Sequence, residues 1–111
     1  MNFDDYQALA GRTANSELSA EDSMLNAAMG MVGESAEVTE HMKKVLFQGH
    51  TLSEFKLMEE AGDCLWYIAL LATSLGVSMS HLAERNIEKL KKRYPDAGFT
   101  SAASVARVDV K

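Results

Sequence analysis

Of the 111 residues only Pro95 is a proline, so everything upstream of it lacks the residue that most often breaks a helix interior. An apolar content of 47% with an aromatic share of only 7% also favours packed helices over a sandwich of short strands and turns. The apolar residues recur at helical steps. Phe3, Tyr6, Leu9 and Ala10 mark a short first helix running to about Ala14, with Asp4 and Asp5 near its start, where the helix dipole favours anions. Ser19 or Asp22 can cap a long second helix reaching Phe47, and Gly49 ends it. Ser53 opens a third, which runs to about Leu75 before Gly76. A fourth starts at Ser78 or Ser80, gathers Leu82, Ala83, Ile87 and Leu90 on one face, and stops before Tyr94-Pro95. From Asp96 the tail reads as loop or disorder. The expected organisation is one helical domain over residues 1–99 and a flexible tail over 100–111.

From Leu65 onward the third helix is apolar on nearly every face, which calls for burial on all sides. A chain of this length buries only about two-thirds of its unfolded surface alone, so a partner subunit is the simplest cover for that helix. The formal charge is −5, and no run of lysine or arginine precedes the last helix, so nucleic acid is not an expected partner. The longest uninterrupted apolar run, Cys64 to Ala72, falls well short of the ~20 residues that span a bilayer, and the start of the chain shows no signal-peptide core. A cytoplasmic protein without a membrane partner is expected. The lone cysteine, Cys64, excludes an internal disulfide and is expected in the core.

Against this apolar background stand two matched pairs of acids. Glu34 and Glu37 lie three apart on the second helix, and Glu60 and Asp63 lie three apart on the third. Helical residues at that spacing sit one above the other, with Cβ atoms ~5–6 Å apart. If the helices pack antiparallel, the two claws can face each other as an all-oxygen site. Each claw belongs to a longer polar stripe, Glu34, Glu37, His41 and Lys44 on one helix and Lys56, Glu60, Asp63 and Tyr67 on the other. Either pair alone is common on solvated helix faces. Both together, each beside a glycine, Gly33 or Gly62, that would let helices or ligand approach, and flanked by Met29, Met31, Val32 and Val38, point to chemistry.

Two unit charges ~6 Å apart repel by roughly 3 kcal/mol at an effective dielectric of ~20, so four such acids resist ionisation unless a cation reverses the local field. Di-iron carboxylate bundles need Glu-x-x-His on two helices, and the residues three before His41, His50 and His81 are Val38, Phe47 and Ser78. Zinc prefers nitrogen and sulfur ligands, for which no cluster exists. Mg2+ or Mn2+ remains, and hard cations of this kind commonly accompany phosphate substrates in enzymes. Asn86, Lys89 and Arg93, at steps of three and four on the fourth helix, form a stripe that could grip phosphate oxygens, although a basic last turn also satisfies the helix dipole. Lys56 joins them as a candidate substrate contact. The three histidines are expected to be surface or packing residues.

The segments Gly33-Glu34-Ser35-Ala36-Glu37, Glu59-Glu60-Ala61-Gly62-Asp63-Cys64-Leu65-Trp66-Tyr67 and Asn86-Ile87-Glu88-Lys89-Leu90, leading to Arg93-Tyr94-Pro95, closely resemble the MazG-like all-α nucleoside triphosphate pyrophosphohydrolases. The ExxE motif, the interval from Val38 to Glu59 and the ExxD motif fit that family's signature, and the likeness extends over about residues 3 to 99. The resemblance implies an all-α antiparallel helical bundle, completed as a homodimer or homotetramer with sites at subunit contacts. It implies Mg2+-dependent cleavage of a (deoxy)nucleoside triphosphate into monophosphate and pyrophosphate, as in house-cleaning of non-canonical nucleotides or control of normal pools. Carried over by motif, Glu34, Glu37, Glu60 and Asp63 are metal ligands, Tyr67 contacts substrate, and Asn86, Lys89 and Arg93 hold the triphosphate. Glu34 or Glu59 could accept the proton of the attacking water. A dUTP or phosphoribosyl-ATP pyrophosphohydrolase, or a non-catalytic metal-binding helical module, is compatible with the same acids. The tail after Phe99 lies outside the likeness.

Overall fold

A computed structural model describes residues 1–110, and the secondary structure among them is entirely helical. The helices are α1 (Phe3–Gly11), α2 (Ala20–Phe47), α3 (Glu54–Ser74), α4 (Met79–Arg93) and α5 (Ser101–Ala106). Their starts are written in the sequence. The side chains of Asn2, Ser19 and Ser53 accept hydrogen bonds from the amides of Asp5, Asp22 and Lys56 at 2.8, 3.0 and 3.1 Å, satisfying one of the free N–H groups at each N-terminus. Ser19, not Asp22, is therefore the cap of α2. Beyond α2 and α3 the backbone turns through Gly49 and Gly76, both at φ +71°, a left-handed conformation that glycine adopts without steric cost.

The chain divides into two compact units at the first turn of α4, Met1–Met79 and the residues from Ser80 onward. In the first unit α3 packs against both α2 and α1. Contacts along the α2–α3 seam join His41 to Ser53, Ser35 to Cys64 and Gly30 to Tyr67. Numbers fall along α2 as they rise along α3, so the helices run antiparallel, as the facing-claw arrangement requires. The Ser53 amide donates to Nε2 of the buried His41 at 3.0 Å, which ties the end of α2 to the start of α3. His41 is thus a packing and capping residue.

Gln7 closes the other end. Its amide nitrogen donates to Thr73 Oγ1 and to the Val77 carbonyl, each at 3.0 Å, and its Oε1 accepts the Met79 amide at 2.8 Å. One α1 side chain thereby ties the end of α3 to the start of α4. The Trp66 indole donates to Thr13 Oγ1 at 2.9 Å, pinning the residues just after α1 to α3. The first helix is shorter than its periodicity suggests and ends at Gly11.

The closed core is small: Ala27, Ala69, Ala72 and Met79, with His41. No large side chain among the described residues is fully enclosed. Leu65, Trp66, Tyr67 and Ile68, on the all-round apolar part of α3, are only half-buried. No single helix among the described residues is long and apolar enough to cross a membrane.

In the second unit the tail corrects the sequence reading, which saw only loop from Asp96. Thr100 caps α5 by accepting the Ala103 amide at 3.0 Å, and Arg107, at φ 50°, ends it. The Tyr94 and Phe99 rings meet at 5.7 Å. Asp109 returns to α4 and receives two hydrogen bonds from Arg93. A six-residue helix of mostly small side chains carries too weak a periodic signal to be read locally, and tertiary anchoring decides it.

Candidate functional site

The α2–α3 seam brings three of the four claw carboxylates together. Glu34 from α2 and Glu60 and Asp63 from α3 each offer an oxygen, and these oxygens all lie within 4.8 Å of one another. The hydrogen bonds within each helix hold the rows at fixed pitch, and antiparallel pairing sets the rows face to face.

Electrostatics mark the cluster as strained without a cation. Burial raises the Glu34 pKa above the ordinary carboxylate value, and a hydrogen bond with Glu60 and the charges of Asp63, Glu60 and Glu37 raise it further. A hydrogen bond between two carboxyl groups needs a proton on one of them, and the surroundings of Glu34 favour its holding that proton. An all-oxygen donor set of acids that repel one another fits a hard divalent cation, whose charge would take over the role of that proton.

Glu37 is placed differently from its three partners. It lies exposed on α2 and contributes its charge at Glu34, but its carboxylate is outside the three-acid cluster. Glu59 is also exposed and outside the cluster. Lys56 belongs to a neighbouring ionic layer. Glu40 is held below its ordinary carboxylate range chiefly by a hydrogen bond from Lys43 at 3.0 Å, with Lys44 and Lys56 adding their charges. On the other side of the acids lies Tyr67, half-buried, its ring over Gly30 and nearly perpendicular to that of Trp66 at 5.0 Å.

Gly33 and Gly62, expected to let helices or ligand approach, face open space, since a Cβ on either would meet nothing within 4 Å, which rules out a helix contact there and not a ligand. The close approach is at Gly30 instead. Its signal was present, because it precedes Glu34 by one turn on the same stripe, but nothing polar drew attention to it. Tyr6 of α1 also reaches this region: burial, then the charge of Asp63, pushes its phenol above the ordinary value.

Among the phosphate-grip candidates, Asn86 and Lys89 line a wide depression on the second unit together with Arg85, Glu88, Lys92 and Asp109. Arg93 is engaged by Asp109 through Nε at 2.7 Å and Nη2 at 2.8 Å.

Comparison with known proteins agrees with this geometry. Residues 22–98 match the family described as the MazG nucleotide pyrophosphohydrolase domain. The chain is similar to the Gene 37 protein of Mycobacterium phage L5, 35% identical over 101 residues, covering 84% of this chain and 89% of that protein. No solved structure matches. The matched span includes α3 entirely and nearly all of α2, and with them every carboxylate of the cluster, so the chain belongs to the MazG nucleotide pyrophosphohydrolase family.

Proposed function

We propose that the protein hydrolyses (deoxy)nucleoside triphosphates to the monophosphate and pyrophosphate in a Mg2+-dependent reaction, with Mn2+ able to substitute. The observation that carries this reading is the convergence of Glu34, Glu60 and Asp63 from two helices inside a MazG domain. Glu37, one turn from Glu34, completes the ligand set. Mg2+ in that set supplies the positive charge against which phosphoryl oxygens and an attacking water become reactive.

The protein's own groups do the rest. Glu34 and Glu59 are the two candidates for the water's proton. Glu34 is the stronger, because its carboxyl lies within the cluster while that of Glu59 lies outside it. Tyr67 borders the acids and supplies an aromatic substrate contact, with Lys56 on the far side. On the second unit Asn86 and Lys89 keep the phosphate-binding role that the family pattern gives them, while Arg93 has two of its five N–H donors committed to Asp109.

We further propose that the working form is a homodimer or homotetramer. Leu25, Met29 and Val32 follow one another at steps of four and three along α2, and Met29 and Val32 are 74% and 71% exposed. A bare apolar helix stripe beside a core of alanines suits a second copy of the chain.

The test is pyrophosphate release across a panel of canonical, deaminated, oxidised and methylated triphosphates. Mg2+-dependent release that chelator abolishes supports the proposal. A protein that binds Mg2+ but releases no pyrophosphate from any member of the panel is a metal-binding helical module instead.

A further inference from the structure

We infer that Gly30 is a positioning residue for the substrate-facing ring of Tyr67: the missing side chain on α2 creates the groove in which that ring lies beside the carboxylates. The inference rests on the pyrophosphohydrolase reading only for the role of Tyr67, since the packing itself is independent of it.

Gly30 lies in the interior of α2, where glycine is a poor helix former. Its φ is not in the left-handed region, as it is at Gly49 and Gly76, so no backbone requirement explains it. Space does. A Cβ at position 30 would overlap Cε1, Cδ1 and Cζ of Tyr67 at once. Those three atoms span one side of the ring, so no small adjustment of a chain end relieves the overlap and the whole ring must be displaced.

Both residues are one turn from the cluster on their own helices. Gly30 precedes Glu34 by four residues and Tyr67 follows Asp63 by four, so the contact forms the next layer of the same seam. The Trp66 and Tyr67 rings meet nearly perpendicular, at 88° and 5.0 Å, and the Trp66 indole is held by Thr13. With Gly30 on one side and Trp66 on another, the ring has a set place beside Asp63. A methyl group on α2 removes one side of that setting, and the nearest atoms it meets are all in the Tyr67 ring.

The test is a double-mutant cycle of Gly30→Ala and Tyr67→Ala, read in two ways. In the first, thermal unfolding without nucleotide reports the contact. Gly30→Ala should lower Tm in the presence of Tyr67 and raise it in the Tyr67→Ala background, where only the helix preference for alanine remains. In the second, Gly30→Ala should raise KM for the preferred triphosphate about tenfold or more while kcat changes by less than about threefold, the signature of lost substrate contact rather than lost chemistry. Combined with Tyr67→Ala it should add no further loss, because both act through one ring. Additive Tm shifts of one sign would overturn the contact. An active wild type whose Gly30→Ala variant keeps its KM would overturn the positioning role alone, whereas a wild type that turns over no triphosphate would overturn the pyrophosphohydrolase reading and leave the Tm cycle to judge the packing.

Discussion

Arg93 at the end of α4 and Asp109 near the end of the described chain meet through two parallel hydrogen bonds of 2.7 and 2.8 Å. The Asp109 side chain is entirely covered and the Arg93 side chain only 17% exposed, yet little protein surrounds either group, so the pair lies just beneath the surface. The Arg93 hydrogen bonds hold the Asp109 carboxyl at about 2, and Arg93 itself is pushed up. A carboxylate whose folded pKa lies below its ordinary 3.8 stabilises the fold above that value and loses its contribution as pH falls toward 2. Asp109→Asn keeps the shape and removes the charge. We expect it to release the tail at neutral pH, read as faster trypsin cleavage after Arg107, and to make tail release insensitive to acid. Unchanged cleavage would mean that α5 is held by the Tyr94–Phe99 contact instead.

The raised pKa of Glu34 has the opposite sign. The folded protein holds this proton more tightly than the unfolded chain, so metal-free protein should lose stability as pH rises above the ordinary carboxylate value of 4.5. Mg2+ competes with that proton for Glu34, so binding should weaken as pH falls and release protons where Glu34 still carries one. Titration calorimetry in two buffers of different ionisation enthalpy measures the release directly. A heat of binding independent of buffer would show that Glu34 is already ionised.

Substituting the cluster acids separates stability from activity. Glu60→Gln or Asp63→Asn relieves repulsion, so each should leave the metal-free protein at least as stable as wild type while lowering turnover by about a hundredfold or more, the pattern of a site held under strain for function. Glu37→Gln should weaken Mg2+ binding less than Asp63→Asn, because Glu37 lies outside the three-acid cluster. Mg2+-dependent Tm shifts with the three variants give the order, and equal losses for all would return Glu37 to the cluster in the metal-bound protein.

Helix identity and the meeting of Glu34 with Glu60 and Asp63, though not with Glu37, were legible from spacing because both depend on local repeat. Ser53 and Gly49 punctuate the chain by their own chemistry, and Glu34, Glu60 and Asp63 meet because two regular helices lie antiparallel. What spacing could not report were contacts set by the third dimension. Gln7 looks like a surface residue of a short helix until its amide is seen joining α1, Thr73, Val77 and Met79. Arg93 reads as a free cation because its partner Asp109 lies beyond a stretch with no periodic signal. Lys56 shares a stripe with Glu60, yet its charge acts on Glu40, since the side chains of one stripe meet different layers of the neighbouring helix.

His41 offers a stability test independent of catalysis. Its Nε2 accepts the Ser53 amide at 3.0 Å and its side chain is buried. His41→Ala strands that N–H, at a cost of about 1–3 kcal/mol, and opens a cavity besides. Urea unfolding should show the midpoint falling with little change in slope. A cost near zero would mean that water replaces the imidazole at the α2–α3 turn.

The apolar stripe on α2 makes the last prediction one of assembly. Leu25, Met29 and Val32 are exposed in the single chain, and none contributes a polar group to the acid cluster. A charge placed among them should be harmless to a monomer, since surface substitutions usually change stability by less than about 0.5 kcal/mol. In an interface the same charge would be desolvated without a partner. If this stripe joins two copies of the chain, Met29→Glu should shift the sedimentation velocity profile to that of a monomer, lower Tm, and make the remaining Tm depend less on protein concentration, because association stabilises the folded state by mass action. Wild type that sediments as a monomer at every concentration, with Tm untouched by the substitution, would mean that this face of α2 serves some other partner or none.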